Sequence, residues 1–435
     1  MANNSAEVIL WERTIGAVTW SDDRQLGTFQ YNPDFLKSEI QLSPLMMPLN
    51  EFPYEFPELN RITFRGLPGL LADSLPDKFG NRIIAQWLAS QNRTFESFNP
   101  VEQLCYTGNR GMGALEFRPA LLGTATRASV VDVAKLVELS NRILDERNSL
   151  YGVFDGSNDP ETIKTILRVG TSAGGARAKA ILAWNPATNE FRSGQVSHLP
   201  AGFEYWIMKF DGILANKDKE LADPQGYGKI EFAYHQLALS AGIEMSLCRL
   251  HHENGRSHFM TRRFDRLEDG TKVHMQSLCA LTHADFNQAQ AYSYEETIVT
   301  MKKLGLSRSE QEQIVLRAMF NIVGRNQDDH VKNIAFLMDQ KGGWRLAPAF
   351  DISYSFDPSG KWTREHQMTL NGRGDNFTRA DFYPLAANAG IKKRKADGML
   401  NKVIEVMRQF PKVAGDVGVD GQTIKRIQKA QRLEW

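Results

Sequence analysis

Residues 326–333 read NQDDHVKN, which sets two carboxylates, a histidine and a lysine between two asparagines. A stretch this polar, flanked by the apolar runs QEQIVLRAMFNIVG and IAFLM, is either a solvated loop or the working part of a site. The spacing favours one kind of work. Asp328 lies five residues before Asn333, so a carboxylate able to take a proton from a hydroxyl stands a short turn from an amide able to hold a divalent cation. Phosphoryl transfer needs that pair, because the protein there mainly positions the nucleophile and neutralises phosphate charge. Lys332, between them, would neutralise the group being transferred. Downstream, IAFLM and WRLAP flank the turn-forming DQKGG. Paired as a hairpin about Lys341, they set Asn333 opposite Ala349 and bring Asn333 and Asp351 together at the open end of the ribbon. Two oxygen ligands from neighbouring strand ends suit Mg2+, which keeps several waters and takes few protein groups. Taken singly, QDDH could instead cap or link elements, and Asp351 could open a turn.

Further pieces lie upstream. RVGTSAGGARAKAILAW, residues 168–184, carries Gly170, Gly174 and Gly175 directly before a strand-like run. The backbone N–H groups of such a loop can cradle phosphate because no Cβ blocks the approach. It is not a Walker A loop, since Ala176 stands where the lysine belongs, and it is not G-x-G-x-x-G; a plain glycine turn is an equal reading. Lys209 closes the apolar EYWIMKF, either as an edge residue reaching for solvent or as a group reaching a nucleotide's phosphates. Glu231 opens the helical IEFAYHQLALSAGI. It could hold that lysine, as a helix glutamate does in protein kinases, or be an ordinary first-turn acid. FMTRRFDR would then end the strand-rich region and supply a hinge. Glycine loop, strand lysine, helix glutamate, hinge, Asp with Asn, and metal Asp occur in the order that a kinase requires.

These groups need elements to hold them. Residues 8–65 alternate in short runs, EVILWERT, IGAVTWSD and GTFQYN, which predicts a small β-rich unit. Helices are expected over SLPDKFGNRIIAQWLAS, where Pro76 and Asp77 suit a first turn, and over SVVDVAKLVELSNRILDER. The turn-rich YGVFDGSNDPE marks a boundary. Strands are expected at AKAILAW, EYWIMKF and HFMTRRF, with one helix between the second and third, and helices dominate beyond residue 290. The layout predicts an α+β, two-lobed protein-kinase-like fold. Residues 1–150 would form an extra β-rich N-terminal subdomain, 151–262 a strand-rich ATP-binding lobe, and 263–435 a helical C-terminal lobe.

The combination SAGGARAK, WIMKF, TRRFDR, NIVGRNQDDHVKN and WRLAPAFDIS resembles the HipA family, bacterial serine/threonine kinases that are toxins of toxin–antitoxin pairs. FRGLPGLLADSLPDKFGNRI resembles that family's amino-terminal subdomain, so the likeness spans nearly the whole chain. It implies ATP and Mg2+ as cofactors and Asp328 as the proton acceptor. His330, Lys332 and Asn333 would lie around the phosphates and metal, Asp351 on Mg2+ beside Asn333, and Lys209 on ATP. Arg262, Arg263 and Phe264 would form the hinge, and Ser172 to Lys179, with Gly174 and Gly175, the phosphate loop. Ser172 would be autophosphorylated, although Thr171 adjoins it; Arg177 also departs from the family's G-A-Q-x-K pattern by replacing an amide. The implied partners are a translation-related protein substrate, often an aminoacyl-tRNA synthetase, and a small helix-turn-helix antitoxin of the HipB kind that binds operator DNA. A small-molecule phosphotransferase and a co-repressor with a vestigial site are the competing readings. The intact Asp328, Asn333 and Asp351 argue against the latter.

Composition agrees with a soluble globular chain: 435 residues, 42% apolar, 24% charged, net charge +1. That length predicts two or three structural units. Nothing global demands nucleic acid or membrane, no apolar run nears the roughly 20 residues of a spanning helix, and the start lacks a secretory pattern. Cys105, Cys248 and Cys279 are too few and scattered for a disulfide framework, which suggests a reducing cytoplasm. HHENGRSH lacks zinc-ligand spacing. Two basic clusters, Lys392, Lys393, Arg394 and Lys395 in one run and Lys425, Arg426, Lys429 and Arg432 along an expected helix, read first as solvated faces. The first is also a candidate for DNA phosphate contacts made through the antitoxin complex.

Overall fold

The computed structural model describes residues 3–89, 91–121, 128–145, 177–196, 198–212 and 226–435. The expected boundary at YGVFDGSNDPE lies outside them. The first alternating runs fold as antiparallel strands β1 (Ser5–Leu10), β2 (Arg13–Ser21) and β3 (Leu26–Tyr31). A fourth strand, β4 (Leu115–Arg118), returns to pair with β1 and gives the order β3-β2-β1-β4. Val8, Val18, Phe29 and Phe117 point inward and are buried, and their core is continuous with that of the C-terminal helices.

A second, five-stranded sheet has the order β6-β5-β7-β9-β8 with antiparallel neighbours throughout. Its strands are β5 (Lys179–Asn185), β6 (Glu190–Ser193), β7 (Glu204–Lys209), β8 (Cys248–Glu253) and β9 (Arg256–Arg262). The sequence points to β5, β7 and β9 but not to the two edges. β6 is four residues long and β8 reads CRLHHE; short or polar edges avoid stray pairing and so lack an apolar signal. Strand alternation sends Ala180, Leu182, Trp184, Trp206, Met208 and Met260 to one face. There they pack with Phe79 and Ile83 of the helix Lys78–Ala89 and with Val133, Leu136 and Val137 of the helix Val133–Asp145. Lys179, Ile207, Lys209 and Thr261 take the other face and line a cleft.

The helix Tyr227–Ala241 packs on β8 and β9. Its approach is close enough to demand glycine: a Cβ on Gly228 would lie 2.3 Å from the Ser257 carbonyl oxygen. On the far side of the cleft, β10 (His274–Ser277), β11 (Ala335–Met338) and β12 (Trp344–Leu346) form a third sheet. Phe336 pairs with Leu346 and Met338 with Trp344, so the hairpin is centred on Lys341 as its turn residues predict. The pairing of β10 to β11 was not expected from sequence.

Helices Tyr294–Lys303 and Arg308–Gly324 each begin with a reciprocal capping box, Ser293 with Glu296 and Ser307 with Glu310. The second helix is buried almost all round, including Ile314, Val315, Phe320 and Val323, and delivers the chain to NQDDHVKN. It ends at Arg325, in the left-handed region at φ +59°. Helices Phe382–Asn388, Lys393–Met407, Phe410–Asp416 and Gly421–Ala430 complete the surround. Among the described residues no helix is long and apolar enough to cross a membrane.

Candidate active site

Lys179 and Lys209 are directly opposite on β5 and β7 and share the face that lines the cleft. Two like charges so placed repel, and the site answers with three carboxylates. Lys209 Nζ lies 2.5 Å from Glu231 Oε1 and 2.5 Å from Asp351 Oδ1. Lys179 Nζ lies 3.3 Å from Asp77 Oδ2. Arg177 stands 3.5 Å from the second Glu231 oxygen, with its guanidinium carbon 3.5 Å from the Tyr227 ring centroid. Burial works against the charge on Lys209, but Asp351 and Glu231 outweigh it and raise the ammonium above its ordinary value. Lys179 is lowered by burial, and Asp77 is raised by it. Burial alone would raise the Asp351 carboxyl; Lys209, Lys179 and Arg177 together hold it at about 2. Asp351 itself has φ +54°, a conformation that turns the chain sharply after β12.

Glu231 does not open its helix. Gly226, at φ +100°, forms the N-cap and the helix starts at Tyr227, so Glu231 sits in the second turn, buried, and spends its charge on Lys209 rather than on the helix dipole. Asp77 carries no sequence signal for this site because it reads as part of a helix's first turn, whereas the structure makes it the cap before the helix Lys78–Ala89. Its Oδ1 accepts from Gly80 N at 2.6 Å, and only its other oxygen reaches Lys179.

Across the cleft, Val331–Asn333 form a single 3-10 turn. Asn333 Nδ2 donates to the Asp328 carbonyl at 2.8 Å, which closes the loop and leaves the amide oxygen as the group able to take a cation. The Asp328 carboxylate accepts from the Trp362 indole N–H at 2.7 Å and lies 3.7 Å from His330 Nε2. Lys332 Nζ lies 5.1 Å from the Phe286 ring centroid. Asp328, His330, Lys332, Asn333 and Asp351 all line the cleft.

Asp329, without an individual role in the sequence reading, anchors the segment. It is buried and accepts from Tyr294 Oη at 2.7 Å and Gln367 N at 2.8 Å, with His366 Nδ1 2.8 Å away. Burial would raise its carboxyl, yet His366 and these donors leave it lowered. Arg432 Nη1 lies 3.1 Å from the other His366 nitrogen and the same guanidinium pairs with Asp375. This corrects the placement of Arg432 on a basic helix: the helix ends at Ala430, and Arg432 turns inward.

Arg262, Arg263 and Phe264, expected to form the hinge, border the cleft, but the Arg263 side chain belongs elsewhere. Its guanidinium grips the fully buried Asp265 at 2.8 and 2.7 Å. Arg266 joins the same carboxylate at 2.8 Å. Gly113 N donates to it at 2.7 Å. Any nucleotide contact at Arg263 therefore falls to the backbone. Ser172, Gly174, Gly175 and Thr171 lie outside the described residues; Lys179 is the end of the expected phosphate loop that is seen.

The cleft measures ≈ 2170 Å³, above the roughly 300–1,000 Å³ of an ordinary small-molecule pocket, and so has room for more than a nucleotide. Lys392 to Lys395 are not among the residues that line it; they are exposed at the start of the helix Lys393–Met407. Lys395 pairs with Glu312 at 2.6 Å, and Lys393 Nζ lies 4.5 Å from the Tyr383 ring centroid.

A mixed sheet-and-helix chain with this site is matched by two family models. Residues 6–118 match the HipA N-terminal domain, and residues 171–410 match the HipA-like C-terminal domain. The chain belongs to the HipA family. Among solved structures it is similar to a chain of the Shewanella oneidensis MR-1 toxin–antitoxin system complex of HipA, HipB and operator DNA. The TM-score is 0.67 at 18% identity, covering 98% of this chain and 95% of that one. No curated protein matches it in sequence.

Proposed function

We propose that this chain is an ATP- and Mg2+-dependent protein serine/threonine kinase with a two-lobed, protein-kinase-like arrangement, and the toxin of a bacterial toxin–antitoxin pair. The observation that carries the reading is Lys209 on one wall of the cleft, held by Glu231 beside it and by Asp351 from the opposite wall, in a cleft that Asp328 and Asn333 also line. The second sheet with the helix Tyr227–Ala241 serves as the nucleotide lobe. Lys209 and Lys179 bind the phosphates, and the backbone of Arg262 to Phe264 serves the adenine. The donor set suits Mg2+: a carboxylate that Lys209, Lys179 and Arg177 hold below the usual carboxylate range and the oxygen of Asn333, whose nitrogen is already engaged. The cation would screen the phosphates. Asp328 takes the acceptor's proton, Lys332 neutralises the transferring group, and His330 lies beside it.

The family resemblance suggests a translation-related target of the aminoacyl-tRNA synthetase class. It also suggests autophosphorylation at Ser172, where about −1.5 to −2 of added charge would oppose ATP binding. A HipB-like helix-turn-helix antitoxin is the expected partner, since HipA of the Shewanella complex is found with HipB and operator DNA. The exposed Lys392–Lys395 cluster would add phosphate contacts within such a complex.

Incubating lysate with γ-labelled ATP and either wild type or Asp328→Ala tests the reading. Label on protein, lost with the variant, is expected; label on a metabolite alone, or none, would reject it.

A further inference from the structure

The indole of Trp362 occupies one oxygen of the carboxylate that takes the proton in the function proposed above. Its Nε1–H lies 2.7 Å from Asp328 Oδ1, short for an N–H donor and typical of a bond to a charged acceptor. An indole can only donate, so this bond always takes up one oxygen of the carboxylate. The contact is also braced from behind. The Trp362 carbonyl accepts from Gln367 Nε2, and Gln367 N donates to Asp329 Oδ1 at 2.8 Å. A closed ring of bonds thus runs from Asp328 through Trp362 and Gln367 to Asp329, the neighbour of Asp328 in the chain. The indole ring lies 6.4 Å from the His330 ring, on the cleft wall.

Two roles fit a tryptophan at such a place: a plug over the carboxylate, or a brace that orients it. Exposure decides between them. The Asp328 side chain keeps 42% of its surface open, so the bond covers one edge and leaves the rest accessible from the cleft.

We propose that Trp362 is a positioning residue. Resting on the assignment of Asp328 as proton acceptor, it pins Oδ1 so that Oδ2 meets the acceptor hydroxyl. In the step served, the hydroxyl proton passes to Oδ2 and the hydroxyl oxygen bonds to the γ-phosphorus. The bond from that phosphorus to the β–γ bridging oxygen breaks, and ADP leaves with those electrons. A carboxylate free to rotate would present the correct oxygen only part of the time, and reaction rates are sensitive to misplacement of about 1 Å.

Full-length Trp362→Phe keeps a ring against His330 but has no N–H; Trp362→His keeps a ring and a donor. With γ-labelled Mg-ATP and lysate protein as acceptor, Trp362→Phe should lower the transfer rate roughly ten- to hundredfold, the range for losing a hydrogen bond to a charged group. Mg-ATP affinity by calorimetry should stay within about twofold, because the bond lies outside the phosphate-binding group. Trp362→His should recover part of the rate. A Trp362→Phe rate equal to wild type, equal rates for the Phe and His variants, or a loss that appears only as weaker Mg-ATP binding would each overturn the role. A wild type that transfers no phosphate would overturn the kinase reading, and this proposal with it.

Discussion

Lys209 and Lys179 face each other across two strands, yet removing them should have different consequences. Lys209 neutralises two carboxylates at once, so Lys209→Met would leave Glu231 and Asp351 without their shared partner, with only Arg177 and Lys179 nearby. Breaking a buried pair in this way costs about 3–5 kcal/mol, and denaturant unfolding should register a loss of that order alongside the loss of Mg-ATP binding. On the opposite wall, Asp328→Ala and Asp351→Ala should each lower phosphoryl transfer by roughly 10²–10⁴-fold. Asp351→Ala should weaken Mg-ATP more, since the proposed roles put Asp351 on the metal and Asp328 at the hydroxyl. A calorimetric titration with the reverse order would mean that the two roles are exchanged. That Asp328, Lys332, Asn333 and Asp351 would line one cleft was legible in the sequence because they are compressed into two short segments. Asp77 was not, because the residue it serves lies a hundred positions away and its own surroundings explain it as part of a helix's first turn.

Among the elements, the hairpin about Lys341 could be read to the residue, since its turn and its two apolar runs are contiguous. The edge strands β6 and β8 and the partner strand β10 could not, because pairing to a distant strand leaves no local pattern. The start of the helix carrying Glu231 was misread by one turn, its N-cap being a glycine rather than a side-chain donor or acceptor. That helix depends on Gly228. A methyl group there would meet the Ser257 carbonyl at 2.3 Å, so Gly228→Ala must push the helix off β9. A destabilisation of about 1–3 kcal/mol and weaker Mg-ATP binding are expected together, the second because Glu231 moves away from Lys209. Wild-type affinity in a destabilised Gly228→Ala protein would show that the pair tolerates the shift. On β10, burial drives the His274 imidazole down to about 3, so it is neutral in the fold. Between its ordinary value of 6.5 and about 3 the unfolded chain binds a proton that the folded chain does not. Stability should therefore fall as pH falls through that range, by about 1.4 kcal/mol per pH unit from this group. Unfolding measured at pH 7 and pH 5 should show a smaller drop for His274→Leu than for wild type; equal drops would assign the acid sensitivity to other groups.

At the scale of the molecule, the expected division into three consecutive units hides how far the first stretch is built into the rest. Trp11 Nε1 donates to the Lys272 carbonyl at 2.8 Å, Asp73 takes both the N–H and the hydroxyl of Ser277 at 2.8 Å, and Asp265 holds Gly113. No sequence pattern announces such contacts, because each is a single polar pair between segments more than 150 residues apart. Asp265 is the most demanding of them. Burial would raise its carboxyl, but Arg263 and Arg266 overcome this and lower it; Asp265→Asn would leave two buried guanidinium groups without their carboxylate. A loss of about 3–5 kcal/mol should appear in thermal unfolding, and a protein with unchanged melting temperature would show that the arginines find other partners. The same contacts have a consequence in time. The first sheet closes when β4 emerges, near residue 118, but the helix Gly69–Ala72 beside it packs on the helix Leu278–Thr282. At the usual pace of a ribosome, that interval lasts roughly ten to thirty seconds. Throughout it the nascent chain holds out Leu70 and Leu71 before their partners Leu278 and Leu281 exist, so the yield of folded protein should depend on chaperones and on how fast the message is read.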